Sequence, residues 1–195
     1  MIRISAILLA AGLSQRMGSY KLMLEYQGKP ILQHSIDLLN ELPVYERILV
    51  TSEVRVNRVV IYPNIVRVIN TQPEKGLSTS IKLGVEAATG THLLFLSADQ
   101  PKLKVTDMKP ILEAANSDPD KIIYPLIDSK PDSPTLFPGS FRMELLNLYK
   151  TSQKDQNDAG GRIIRDANKH LCLPFEPEKP MNFNDIDTPD DLKML

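Results

Sequence analysis

The runs "ILVTS" (Ile48 to Ser52) and "LLFLS" (Leu93 to Ser97) are apolar nearly throughout instead of alternating, which is how strands covered on both faces read. Strands of that kind need a layer of structure above and below them. The residues between such runs supply those layers, because short β-like stretches alternate along the chain with longer helical ones. Strands are expected at 3–9, 47–52, 66–70, 92–97 and 121–127. The pattern predicts an α/β fold with helices packed on a mostly parallel sheet.

The helices announce themselves by spacing. "PILQHSIDLLNEL" places Leu32, Ile36, Leu39 and Leu42 on one face behind Pro30, a good opening residue. "LSTSIKLGVEAATG" does the same with Leu77, Ile81, Val85 and Ala88, and Gly90 stops it. "TDMKPILEAAN" is a third helix, with Pro110 confined to its first turn. "SFRMELLNLYK" and "AGGRIIRDAN" predict two more, and "DIDTPDDLKML" a last one with Thr188 as N-cap and Pro189 behind it. Residues 125–138 hold four prolines and little periodicity, so a loop or an edge hairpin is expected there. No repeat or low-complexity linker divides the 195 residues, so one domain spanning 1–195 is expected.

Composition narrows the function. With 42% hydrophobic and 24% charged residues the chain has an ordinary globular balance, and its net charge of −1 gives no electrostatic footprint for nucleic acid. No run of about 18 apolar residues argues for a membrane span. Cys172 is the only cysteine, which excludes an internal disulfide and suits a reducing compartment. With no signal-peptide pattern at the start, a cytoplasmic location is expected. His34, His92 and His170 are scattered with neither triad nor metal-ligand spacing, and His34 in a helix and His170 opening a strand read as structural.

The chemistry concentrates at "LLAAGLSQRMGSYK" (Leu8 to Lys21), a polar turn on the end of the first strand. It matches neither G-x-G-x-x-G nor the Walker A pattern. Ala10, Ala11 and Gly12 keep side chains small, so a base or phosphate can approach the backbone, and Arg16 and Lys21 supply positive charge. Taken one at a time, each of these residues also suits an ordinary turn or a solvated surface.

Taken together they resemble the signature of the molybdenum cofactor nucleotidyltransferases, L-A-A-G-x-S-x-R-M-G-x-x-K, and most of all the cytidylyltransferase branch of that MobA-like group. "GLSTSIKLGVEAA" (Gly76 to Ala88) is similar to its second nucleotide-binding segment, and "LSADQP" (Leu96 to Pro101) to its metal site. "SPTLF" and "NDAGGR" are similar to its acceptor side, and "DIDTPDDL" to its closing motif. The segments occur in the family's order over essentially the whole chain. The resemblance implies a three-layer α/β/α sandwich with a Rossmann-like sheet, of the nucleotide-diphospho-sugar transferase type.

It also implies roles. CTP is the expected substrate, bound by Leu9, Ala10, Ala11, Gly12, Lys21, Gly76, Ser78, Thr79 and Ser80. Lys21 and Arg16 would hold the triphosphate. Asp99 stands where a strand runs out, the edge at which open α/β sheets bind ligands, and with Asp185 it would bind Mg²⁺ or Mn²⁺. Alternation puts Asp185 and Asp187 on one face, so either remains open as the second ligand, with Asp185 ranked first. The hydroxyls of Ser78, Thr79 and Ser80 suit either a pyrimidine edge or the start of their helix.

The implied acceptor is molybdopterin or molybdenum cofactor, with Gly160, Gly161 and Arg162 on its side and a molybdenum hydroxylase as the recipient of the product. Its phosphomonoester has a second pKa near ~6 and is largely dianionic at neutral pH, so the attack needs no general base. Three alternatives carry the same motifs: a guanylyltransferase of the same cofactor, a cytidylyltransferase acting on a sugar or polyol phosphate, and a carrier of the cofactor that catalyses nothing. "LAAG" and "GLSTS" favour the cytidylyl branch. Paired carboxylates beside Lys21 favour an enzyme over a carrier.

Overall fold

The computed structural model describes residues 1–12, 20–52, 58–155, 160–186 and 191. In chain order its elements are β1 (Ile4–Ala10), β2 (Glu25–Tyr26), β3 (Lys29–Pro30), α1 (Ile31–Glu41), β4 (Glu46–Thr51), β5 (Ile65–Ile69), α2 (Leu77–Ala87), β6 (His92–Ser97), α3 (Lys109–Ser117), β7 (Ile122–Ile127), β8 (Lys130–Pro131), β9 (Thr135–Pro138), α4 (Arg142–Asp155), α5 (Arg162–Ala167) and β10 (Cys172–Phe175). The main sheet runs β10-β7-β9-β6-β1-β4-β5, and β8 pairs with β7. β1 is central, parallel to β4 on one side and to β6 on the other.

The continuous apolar runs are explained by what covers them. On one face of the sheet, Ala6, Leu8 and Ala10 of β1 meet α1 and α3 through Ile31, Ile36, Leu39, Ile111 and Ala115. On the other, Ile7 joins Ile48, Val50, Leu93 and Phe95 under α2, α4 and α5, which contribute Ile81, Val85, Leu145 and Ile164. Neighbouring residues of one strand thus belong to two cores, as the two-residue repeat of a strand requires. This is the three-layer α/β/α architecture expected from the sequence.

All five expected strands are present within one residue of their predicted bounds. The expectation for 125–138 is corrected. β9 is neither loop nor edge: it lies between β6 and β7, antiparallel to both, with Leu136 and Phe137 buried. Burial of these two side chains outweighs the low strand propensity of a proline-rich stretch, and the proline within β9 comes last, at Pro138. His170 does not open a strand but sits in the 3₁₀ turn Lys169–Leu171 that leads into β10. In the third helix Pro110 does fall in the first turn of α3, behind a 3₁₀ turn at Val105–Met108. The helix expected from Thr188 onward lies outside the described residues apart from Asp191.

Candidate active site

Because β1 and β6 are parallel neighbours, with Leu9 opposite Ser97, the chain leaves the sheet at two adjacent points on the same edge. Ala10, Ala11 and Gly12 follow from one exit, and Ala98 and Asp99 from the other. A cavity of about 850 Å³ opens there, within the range of sites that enclose a small molecule. Leu9 to Gly12, Lys21, Gly76, Ser80 and Asp99 line it on the side of the glycine turn. A Cβ placed on Gly12 would meet nothing within 4 Å, so this wall is open to an approaching group.

Lys21 opens a short 3₁₀ turn, Lys21–Met23, which is tied back to β1 by Tyr20, whose Oη donates to the Ala10 carbonyl at 2.8 Å. The turn carries Lys21 Nζ to 2.7 Å from Asp99 Oδ2, and the two side chains are only 15% and 16% exposed. Ser97 Oγ donates to the other carboxylate oxygen of Asp99 at 2.5 Å. The backbone under Asp99 is held as firmly: Ser35 Oγ of α1 donates to the Ala98 carbonyl at 3.0 Å, and Gln100 Nε2 donates to the Phe183 carbonyl at 2.7 Å. Asp99 is therefore fixed from both sides at the mouth of the strand.

The end of the chain reaches the same place. The Ile186 N–H donates to the Asp99 carbonyl at 3.0 Å, and the Ile186 side chain is fully buried. Asp185 is exposed beside it, so this contact brings the first-ranked second carboxylate into the neighbourhood of Asp99, although Asp185 is not part of the cavity wall. Arg16 and Asp187 lie outside the described residues.

The serine-rich start of α2 is largely committed to local structure. Gly76 adopts φ 98°, a conformation open to glycine, and Thr79 Oγ1 donates back to its carbonyl at 2.5 Å. Ser80 Oγ accepts from Asn70 Nδ2 at 3.0 Å, and Ser78 is fully buried. Of the three, only Ser80 lines the cavity. Of the residues expected on the acceptor side, Gly161 and Arg162 line the cavity and Gly160 does not; Gly160 has φ 53° and is packed against Leu77.

Two charged residues in the wall were not singled out from the sequence. Asp132 sits between Pro131 and Ser133, and its carboxyl is held above the usual carboxylate range by burial first and by the nearby charge of Asp99 as well. Arg165 of α5 is only 9% exposed. The first carried a weak signal, a carboxylate within a proline-rich stretch beside the "SPTLF" segment. The second carried none, since an arginine in a helical pattern reads as a solvated charge.

Beside the Lys21 ammonium, the groups near Asp99 that could face a cation are oxygens: the Asp99 and Asp132 carboxylates and the Ser97 and Ser133 hydroxyls. Among the described residues no group of three or more His, Cys, Asp or Glu is placed to hold a metal. The oxygen donors suit a hard divalent cation such as Mg²⁺, which is commonly bound through one or two carboxylates, with phosphate and water completing its shell. A thiolate site does not arise: Cys172 is free, and burial pushes its thiol up. Among the described residues no helix is long and apolar enough to cross a membrane.

Residues 6–170 match the model of the MobA-like NTP transferase domain. The chain is 31% identical over 195 residues to the molybdenum cofactor cytidylyltransferase of Escherichia coli, covering 98% of this chain and 94% of that one. It is 27% identical over 178 residues to the molybdenum cofactor guanylyltransferase of Pseudomonas fluorescens, covering 89% and 86%. Its fold superposes with a TM-score of 0.82 on a nucleotidyl transferase from Methanothermobacter, at 22% identity and with 98% and 95% of the two chains covered. With a glycine turn, a lysine and a strand-end aspartate meeting in one cavity, the chain belongs to the MobA-like NTP transferase family and is a nucleotidyltransferase.

Proposed function

We propose that this enzyme, working as one domain in the cytoplasm, transfers CMP from CTP to the terminal phosphate of molybdopterin or molybdenum cofactor and releases pyrophosphate. The observation that carries the reading is the meeting of Lys21 and Asp99 at 2.7 Å, at the exits of two adjacent parallel strands and inside the cavity lined by Ala10 to Gly12. A cation and an anion at one point are what a metal-bound triphosphate requires: the lysine takes phosphate oxygens and the carboxylate takes the metal. Identity to the Escherichia coli cytidylyltransferase over nearly the whole chain supports cytosine as the base and molybdenum cofactor as the acceptor.

Catalysis then rests on positioning and charge. The small residues of the glycine turn let the nucleotide lie against the backbone of β1. Lys21, anchored through Tyr20, holds the triphosphate and neutralises charge as the bond from the α-phosphorus to the bridging oxygen breaks. An oxygen of the acceptor phosphate forms the new bond to the α-phosphorus, and pyrophosphate leaves with the electron pair. Asp99, with Asp185 in support, would hold Mg²⁺, which when bound would supply electrostatic stabilisation of the phosphates. The acceptor is already ionised, so no side chain need remove a proton.

The test is thermal stabilisation by each of the four nucleoside triphosphates with Mg²⁺. Ligand at about 100 times its Kd stabilises by about 2.7 kcal/mol, a readily measured shift. CTP is expected to give the largest shift. A larger shift with GTP would move the reading to the guanylyl branch, to which the Pseudomonas relative belongs. No shift with any of the four would overturn the function.

A further inference from the structure

The order of strands gives the cavity two ends. β1, which carries the glycine turn, lies on one side of β6 and its Asp99; β9 and β7 lie on the other. The wall on that second side consists of Pro131, Asp132, Ser133, Thr135 and Phe137 with Gly161, Arg162 and Arg165 of the α5 region. Reactants bound at the two ends therefore meet over Asp99.

Arg165 is unusual in this wall. Its side chain is only 11% exposed, and its guanidinium carbon lies 5.1 Å over the ring of Tyr124 on β7. Its Nε donates to Asp166 Oδ1 at 3.2 Å, and among the described residues its two terminal amino groups have no hydrogen-bond partner. Asp166 is 49% exposed and is shared with Arg162, whose Nε lies 3.6 Å from Oδ2. The other carboxylate on this wall, Asp132, accepts from the Ser133 N–H at 2.6 Å. Those amino groups are not sealed in the interior but reach the cavity that Arg165 lines, and stacking on an aromatic ring fixes the plane in which they point. Such an arrangement is suited to a planar, two-pronged grip on an oxyanion that arrives from the cavity.

We propose that Arg165 is the binding residue for the phosphate of the acceptor, a phosphomonoester dianion, and that Arg162 at the rim adds to its charge. The inference rests on the transferase reading and assigns the acceptor phosphate to a side chain beyond the Gly160 to Arg162 segment. Arg165 holds the attacking group; the triphosphate belongs to Lys21 at the other end.

The test is Arg165→Met, which keeps an unbranched stem over Tyr124 and removes the donors. The KM for molybdopterin is expected to rise at least tenfold, while the KM for CTP and the stabilisation by Mg²⁺ and CTP stay at the wild-type level. Arg165→Lys, which keeps the charge without the fork, is expected to fall between the two. An unchanged KM for molybdopterin overturns the proposal, and so does an equal rise in both KM values with a lowered Tm, the mark of a packing role. Should the methionine variant not fold, the lysine variant decides by the same criteria.

Inorganic phosphate separates this proposal from the transferase reading. Absence of nucleotide stabilisation in the wild type would defeat that reading alone. Phosphate stabilisation that survives Lys21→Met but is lost in Arg165→Met would still support the anion site. Equal phosphate stabilisation in wild type and Arg165→Met would overturn it.

Discussion

Lys21 Nζ and Asp99 Oδ2 are 2.7 Å apart, although the two residues are 78 positions apart in the chain. Neither belongs to a strand. Lys21 is brought in by a short turn anchored to the end of β1, and Asp99 by the end of β6, so the pair exists because those two strands are neighbours. The edge of a parallel sheet thus converts strand order into a charge pair, and that pair lies in the cavity wall.

Asp99→Asn removes the charge while keeping an oxygen for Ser97 Oγ to reach. Nucleotidyl transfer is expected to fall by about 10²-fold or more, the scale on which loss of one preorganised electrostatic contact acts. The fold should survive, since both side chains open on the cavity and the lysine can turn to solvent. Steady-state pyrophosphate release and a far-UV melting curve measure the two effects. Chelation of divalent metal with EDTA is expected to abolish activity in the wild type, and Mg²⁺ to restore it; activity unaffected by EDTA would remove the metal role of Asp99.

Glu46, at the start of β4, ties three segments together at the opposite edge of the sheet. Its Oε1 accepts from Ser5 Oγ at 2.5 Å, from the Thr89 N–H at 2.6 Å and from the Gly90 N–H at 2.9 Å. Burial alone would raise its pKa, but these hydrogen bonds outweigh burial and hold the carboxyl below the ordinary value of 4.5. A carboxylate depressed in the native state adds stability at pH values above its unfolded pKa and loses it as pH falls through the native one. Glu46→Gln is therefore expected to be less stable than wild type at pH 7, with the gap closing below about pH 4.5. Urea unfolding across pH 3 to 7 checks this; a gap independent of pH would show that the charge is irrelevant.

The parts of the fold that were legible in the sequence are those in which local pattern and burial agree. The strands around His92–Ser97 and Glu46–Thr51 are apolar on both faces because both faces are covered, and α1 and α2 repeat at helical spacing because each buries one face. β9 was not legible, since "TLFP" is short, follows a proline-rich stretch and becomes a strand only because β6 and β7 leave a gap that Leu136 and Phe137 fill. The same holds in the site. Lys21, Asp99 and the glycine turn belong to contiguous motifs, whereas Arg165 is defined by the ring of Tyr124, 41 positions away and on another element. Ser78 and Thr79 show the converse: their residue types suit either a nucleotide contact or the helix start, and in the structure Ser78 is buried while Thr79 Oγ1 donates to the Gly76 carbonyl.

Gly84 of α2 shows how closely the layer beneath the glycine-turn side of the cavity is packed. A Cβ at this position would lie 2.5 Å from Ile7 Cγ2 of β1 and 3.3 Å from Val50 Cγ2 of β4, closer than side chains normally approach. A glycine in a helix interior costs about 0.5–1 kcal/mol relative to alanine, so propensity alone would make Gly84→Ala stabilising. Contact with two branched residues in the core acts the other way: overpacking typically costs about 1–3 kcal/mol, because the neighbours must leave their rotamers or the helix must move. The steric effect is the larger, and Gly84→Ala is expected to lower Tm by a few degrees for a chain of this size. If α2 is instead pushed outward, Gly76 and Ser80 move with it, and the KM for CTP should rise while that for the acceptor stays unchanged. A Tm equal to or above that of wild type would show that the strand side chains yield without cost.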